Sequence, residues 1–356
     1  MKVELAVLLL LFQLFCCQSS AIEVCKDLYV ISETTAGGVA WGYINQQGKV
    51  IAPPNLLTAS DFQDNVAIIT LKSKKNVSIN SKNQEQILSG IIDVNGKIRL
   101  LPNINLFSDF SEGLALAQKH EKWVFINKSG KVIIAIPDSI KIAEESPIAF
   151  GFEKGVAGIN TSNGVCLVTK KGKFNCRKNI FGSIGFMNEA ESVLVEEGFT
   201  IIDKKGLYLI PPQDNPINFS EDGYFLIETK DRKWIYYDSY GKKMLEVPYN
   251  YAGLFSQELA LVQINGKWGF MDKTGNLSIV PQFEDANNFG EDKLAAVKIN
   301  NKYGFINQKG EFMIAPVFDY VNKPFSCGIA QVQKEGFIGY INKKGEWVWK
   351  KRIEKD

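Results

Sequence analysis

Apolar and polar positions alternate along most of this chain, and the alternation restarts at a fixed interval. In "GKWGFMDKTGNLSIVPQF" (266–283) an apolar run leads into a polar turn at Gly275 and out into a second apolar run. The same order recurs in "NKYGFINQKGEFMIAPVF" (301–318) and "GFIGYINKKGEWVW" (336–349). Aligned on the turn glycine, the copies place it at Gly48, Gly96, Gly130, Gly172, Gly206, Gly241, Gly275, Gly310 and Gly345. Six of the eight intervals are 34 or 35 residues. The chain therefore reads as about nine repeats of one small unit, which form a single structure however long the array is.

Each position in the unit has a physical reason. Three residues before the glycine stand Asn45, Asp93, Asn127, Thr169, Asp203, Asp238, Asp272, Asn307 and Asn342. An Asn or Asp side chain accepts from backbone amides at the start of a type I turn, and the glycine then takes a left-handed conformation as a hairpin bulge. This is turn chemistry, repeated at every copy, and not an acidic active site. Five and four residues before the glycine the chain is apolar or aromatic, as at Phe270-Met271 and Phe305-Ile306. Both faces of that strand are thus hydrophobic, so both should be covered. A ring stands seven residues ahead in Trp41, Trp123, Phe199, Trp234, Trp268 and Tyr303. A glycine often follows it (Gly42, Gly269, Gly304), which predicts close approach by another backbone, read here as the neighbouring unit. Proline follows the turn in seven copies, among them Pro53, Pro281 and Pro316, and should end the second strand or keep it at an edge.

A third element precedes each hairpin: an aromatic plug, a polar turn and an alternating strand, as in "FSEGLALAQ" (110–118) and "FSQELALVQ" (255–263). The unit is accordingly predicted to be a three-stranded antiparallel meander of an all-β protein. "KSKKNVSINSKNQEQ" (72–86) reads as an extended hairpin loop inserted into the second copy. Units this small must stack to bury a core. Three short strands per unit favour an elongated, twisted, β-solenoid-like array; the alternative is a closed, propeller-like ring.

The decapeptide Gly-Lys-Trp-Gly-Phe-Met-Asp-Lys-Thr-Gly (266–275) resembles the core of the WG, or KWG, repeat family. The likeness runs on through "LSIVPQF" and "FGEDKLAAVK" and covers nearly all of 22–356, weakest over 140–198. The family is found in bacterial secreted and surface-associated proteins. The resemblance implies β-repeat architecture and supplies no catalytic residues.

The N-terminus, "MKVELAVLLLLFQLFCCQSSAIE", has a basic start, an apolar run and small residues before Ile22. That is the layout of a signal peptide over 1–21, with the run too short to span a bilayer. It predicts an exported chain, periplasmic or secreted, with no membrane span left after cleavage; Phe15 stands where a lipoprotein signal needs a small residue. Cleavage leaves Cys25, Cys166, Cys176 and Cys327, and export permits disulfides. Cys166 and Cys176 flank the turn at Gly172; a Cys25–Cys327 bond would join the ends and select the ring.

A net charge of +2, with lysines spread along the chain, argues against nucleic acid. His120 is the single histidine and falls in a tight turn, which leaves no zinc-type ligand set and no histidine-based triad. No cofactor motif appears. Trp41, Trp123, Trp234, Trp268 and Tyr303 are the candidate binding aromatics, set against a core role. The expectation is an exported, non-enzymatic scaffold with a protein partner. A cell-envelope glycan or peptidoglycan binder is the alternative, and a hydrolase sited in 140–198 a further one.

Overall fold

The structure, a computed structural model, describes residues 28–353 apart from 36–37, 73–76, 80–81, 85–86, 179, 181, 188–189, 204–206 and 221–222. The segment read as a signal peptide, Cys25 and Gly206 lie outside the described residues. Among the described residues no helix is long and apolar enough to cross a membrane.

The Asx-x-x-Gly signature forms the turn expected of it. The Asp272 Oδ1 accepts from the backbone N–H of Thr274 (2.8 Å) and Asn276 (3.1 Å), and Gly275 donates to the Asp272 carbonyl. Asn307 repeats this with Lys309 and Glu311. The Thr274 hydroxyl, then the turn amides, hold the Asp272 carboxyl below its ordinary 3.8. A depressed folded pKa means the stabilisation is fully present above pH 3.8 and lost as pH falls through the lower folded value. Asp272→Asn keeps the accepting oxygen but cannot be protonated. It should leave the neutral-pH melting temperature nearly unchanged and flatten its acid-side decline, as a series of thermal melts from neutral to acid pH would show.

Each hairpin grows into a small antiparallel sheet. Among the described residues nine such sheets succeed one another, occupying 29–56, 58–100, 104–135, 148–178, 182–203, 218–247, 251–283, 285–318 and 320–352, here units 1 to 9. Units 2, 3, 4 and 6 to 9 have four strands and not the three expected. The additional strand is the plug segment itself: in unit 7, Tyr251–Ser256 precedes Leu259–Ile264, Lys267–Met271 and Leu277–Phe283. It is only two residues long in units 2, 6 and 8, too short to show in an alternation pattern. The insertion in unit 2 carries the expected hairpin, Val77–Ile79 against Lys82–Gln84. Units 4 and 5 are diverged copies of the same sheet, so 140–198 is no separate module.

The glycine beside the ring serves its own unit. Trp268 pairs with Phe283 while Phe270 pairs with Ile279, so the fourth strand bulges at 280–282. A Cβ on Gly269 would lie 2.5 Å from the Ile279 carbonyl oxygen and 2.6 Å from the Pro281 nitrogen. Gly42 and Gly304 meet the same obstacle at Pro54 and Pro316. The expected approach by a neighbouring unit is thus corrected: glycine makes room for the bulge, and proline sits inside it because no amide is needed there.

The third strand explains its two hydrophobic faces. Phe270 packs with unit 8 and Met271 with unit 6; Phe305 packs with unit 9 and Ile306 with unit 7. Among the described residues nine buried clusters join unit 1 to 2, 2 to 3 and so on to 8 to 9, and the ninth joins unit 9 to unit 1. In that last cluster Ile44 of unit 1 and Tyr340 of unit 9 take the places that Ile306 and Phe270 take between units 7 and 8. Turn glycines tell the same story. Gly96 lies against Ile51, Gly275 against Leu245 and Gly345 against Ile314, each on the preceding unit, and Gly48 lies against Val348 of unit 9. The elongated solenoid-like array is therefore corrected to a closed ring of sheets, a β-propeller architecture.

A polar belt runs round the ring. Asp64 accepts from Gly113 and Lys128 of the next unit, and Glu112 from Gly155 and Lys170. At the closure, Gln46 of unit 1 donates to the Cys327 carbonyl of unit 9 (2.6 Å). Cys166 and Cys176 are directly opposite on paired strands and form a disulfide. Cys327 is disulfide-bonded as well.

Candidate functional site

The seam between units 9 and 1 departs from the pattern that units 3, 7 and 8 present to their next unit. Across the sheet face that packs on the next unit, unit 3 presents Leu116, Phe125 and Ile134 in register. Unit 7 presents Leu261, Phe270 and Ile279, and unit 8 Ala296, Phe305 and Ile314. In unit 9 the same row reads Gln331, Tyr340 and Trp349, extended by Lys323 on the first strand. An amide and an indole thus flank the central ring where these three units have aliphatic groups; the central phenol itself recurs as Tyr43 in unit 1 and Tyr236 in unit 6.

The opposing wall is also different. Unit 1 has three strands among the described residues, Tyr29–Thr35, Gly38–Ile44 and Val50–Leu56. In units 3, 7, 8 and 9 the edge strand brings a plug phenylalanine into the core, as Phe289 packs on Phe270 with centroids 4.7 Å apart. At the seam Tyr340 meets Tyr29 instead, at 5.5 Å, and its hydroxyl donates to the Val30 carbonyl (2.8 Å). A cavity of about 510 Å³ remains beside them. Trp41, Val30, Ile31 and Ser32 of unit 1 face Gln331, Ile338, Trp349 and Lys351 of unit 9, and Asp61 and Lys323 reach its edge.

Asp61 and Lys323 pair at 2.6 Å between units 2 and 9, past unit 1. Lys351 donates to the Ser32 Oγ at 3.0 Å and has no carboxylate partner among the described residues. Burial, and secondarily Asp61, pushes the Tyr340 phenol well above its ordinary range, so it stays protonated and donates. The cavity therefore combines indole walls, an amide, one internally balanced ion pair and one cation that is not balanced.

Of the aromatics singled out from sequence, Trp41 lines this cavity. Trp123 lines a separate cavity of about 260 Å³ with Ile140 and Glu144, and stacks on Phe107. Trp234 and Tyr303 are buried, and Trp268 packs half-buried against the unit 7–8 core. Tyr251 bridges Trp234 and Trp268 at 5.2 and 5.3 Å. The five are not brought together. His120 is exposed in a turn at φ +49°. Among the described residues no group of three or more His, Cys, Asp or Glu is placed to hold a metal ion. Sequence reading passed over Gln331, Trp349 and Lys351. Their signal was a departure from the repeat consensus, visible only once strand register shows which residues share a row.

A second surface feature recurs. The fourth strands are sheet edges, and they expose Met244, Val280 and Met313 in the consecutive units 6, 7 and 8, each more than half accessible.

The family model described as WG containing repeat matches residues 41–74, 90–123, 236–268, 268–303 and 303–336. The chain carries WG repeats. The last three matches run unbroken through units 6 to 9, and each frame begins in the third strand of one unit and ends in the next, so a WG repeat straddles two sheets. No curated protein matches the chain. Among solved structures, the crystal structure of the eukaryotic initiation factor superposes with a TM-score of 0.58 at 10% identity, over 92% of this chain and 96% of that one. BamB from Moraxella catarrhalis gives 0.38 at 10% identity, over 83% and 89% of the two chains. Apo AztD from Citrobacter koseri gives 0.38 at 13%, over 80% and 92%. The first likeness supports the fold of the WG-repeat ring and nothing more specific; the other two add nothing to it.

Proposed function

We propose that this WG-repeat ring is an exported, non-enzymatic scaffold that binds a protein partner along the exposed edge of units 6 to 8. The observation that carries the reading is the exposure of Met244, Val280 and Met313, apolar side chains on three consecutive edge strands that the ring's own packing leaves uncovered. Exposed apolar side chains that recur on one kind of edge are more informative of an interaction surface than a single one. The bulges at Pro281 and Pro316 interrupt the edge backbone, which discourages strand addition and favours recognition through side chains. Export rests on the layout of residues 1–21, and the non-enzymatic character on the absence of a convergent catalytic set in the sequence.

A photo-crosslinking residue at 313 in the otherwise native chain should capture one discrete protein in the native compartment. The same residue at Lys344, on an exposed turn of unit 9, should not. Met313→Glu should lower recovery of that protein by at least about tenfold without altering the melt, a loss typical of one interface anchor. Equal capture from both positions, or full recovery with Met313→Glu, would overturn the reading.

A further inference from the structure

We infer that the cavity at the ring closure is a binding site for a carboxylated sugar. The site stands apart from the edge surface of units 6 to 8, and neither reading depends on the other.

The first argument is what the ring does not need there. The interfaces that units 3, 7 and 8 form with the next unit close with aliphatic and phenyl groups across this row, as in Ala296–Phe305–Ile314 against the Phe325 plug; where units 1 and 6 place a tyrosine there, its hydroxyl donates to the next unit's backbone. Closure alone would be served by the same groups at the seam. Instead Gln331 stands where units 3 and 7 have leucine, and Trp349 where units 3, 7 and 8 have isoleucine. Gln331 is half-buried and its amide reaches the Tyr340 hydroxyl, which leaves it polar capacity at the cavity wall for a further partner. The volume, about 510 Å³, lies within the range of roughly 300–1,000 Å³ common for small-molecule sites.

The second argument is the chemistry of the walls. A pyranose ring has apolar C–H faces and a polar equatorial rim. Trp41 and Trp349, on opposite sheets, line the cavity with indole rings suited to the former. Ser32, Gln331 and Asp61 offer hydroxyl, amide and carboxylate partners for the latter. The charge balance then selects among sugars. Asp61 already neutralises Lys323, whereas Lys351 meets only the Ser32 hydroxyl. A ligand carboxylate would complete that pair with a charge-assisted hydrogen bond. A wholly apolar anion would leave Gln331 and Asp61 unused, and a polyphosphate would meet too few cations.

The test is a titration of the full chain with di- and trigalacturonate, and with a neutral galactose disaccharide, monitored by tryptophan fluorescence and calorimetry. The acidic sugars should bind saturably, with a Kd of about 1 mM or below, and the neutral one at least tenfold more weakly. Lys351→Gln should abolish that preference while leaving the neutral sugar's affinity in place. Gln331→Leu places the residue of units 3 and 7 there and leaves the Tyr340 bond to Val30 in place, so it should still fold, and it should weaken both sugars severalfold. Absence of saturable binding by either sugar up to about 10 mM would overturn the inference. So would binding that both substitutions leave untouched, or equal affinity for acidic and neutral sugars.

Discussion

Gly269→Ala should destabilise the ring by about 3–4 kcal/mol, far more than one methyl group ordinarily costs. The new Cβ would stand 2.5 Å from the Ile279 carbonyl oxygen and 2.6 Å from the Pro281 nitrogen. Both obstacles are backbone, and no rotamer change clears them. Relief would require the bulge at 280–282 to move, and Ile279 and Phe283 on either side of it are both buried in the core shared by units 7 and 8. Gly266 is the matched control. Its φ of +76°, unlike the ordinary backbone of Gly269, disfavours a side chain, but a Cβ there meets nothing within 4 Å. Gly266→Ala should therefore cost only the left-handed strain, about 1–2 kcal/mol. Urea unfolding of the two variants beside the parent decides the matter. A loss at Gly269 no larger than that at Gly266 would mean that the bulge yields to the new Cβ, and that the close approach does not account for the glycine of the WG dipeptide.

The same dipeptide shows where sequence reasoning stops. The repeat, its all-β character and its turns were legible because each rests on residues within one unit: Asp272 caps the turn that Gly275 completes. The alternation at Phe270-Met271 correctly foretold covering on both faces, because a strand hydrophobic on both sides must be buried between two layers. The partner of Gly269 was misassigned because the obstacle lies ten and twelve residues away on the same unit, across a bulge that period alone does not reveal. The edge strand escapes the sequence in every unit: at Asp285–Ala286 it is two residues long, and where it is longer, as at Tyr251–Ser256, its end reads as the plug that leads into the next strand. Curvature was beyond reach for a different reason. A chain of similar contacts, such as Gly275 on Leu245 and Gly345 on Ile314 of the preceding units, is compatible with a rod or a ring, and contacts such as that of Gly48 with Val348 are needed to distinguish them. The closure cavity was hidden for the same reason. Trp349 looks like one more aromatic on a strand until register places it beside Tyr340 and opposite unit 1.

Closure makes the seam the one interface whose loss should change the shape of the molecule, and Tyr340→Ala tests this. Tyr340 is buried, packs on Tyr29 and donates to Val30 on the opposite side of the seam. Truncating a buried aromatic typically costs about 3–5 kcal/mol. Phe305→Ala removes the equivalent ring from the interface of units 8 and 9 and should cost a similar amount. The two substitutions should nevertheless differ in their effect on the outline of the molecule. Units 8 and 9 are joined by the single residue Asp319, so they remain at high effective concentration and the ring keeps its form. Units 9 and 1 are neighbours in space but lie at opposite ends of the described chain, held by side-chain contacts and by whatever the Cys327 disulfide ties. With a reductant present, Tyr340→Ala should raise the radius of gyration measured by solution scattering before global unfolding, and Phe305→Ala should not. Tyr340→Phe, which keeps the ring and loses only the bond to Val30, should cost about 1 kcal/mol and leave the ring closed. If Tyr340→Ala and Phe305→Ala scatter identically under reducing conditions, the seam is no weaker than its neighbours and closure must be held by contacts other than these.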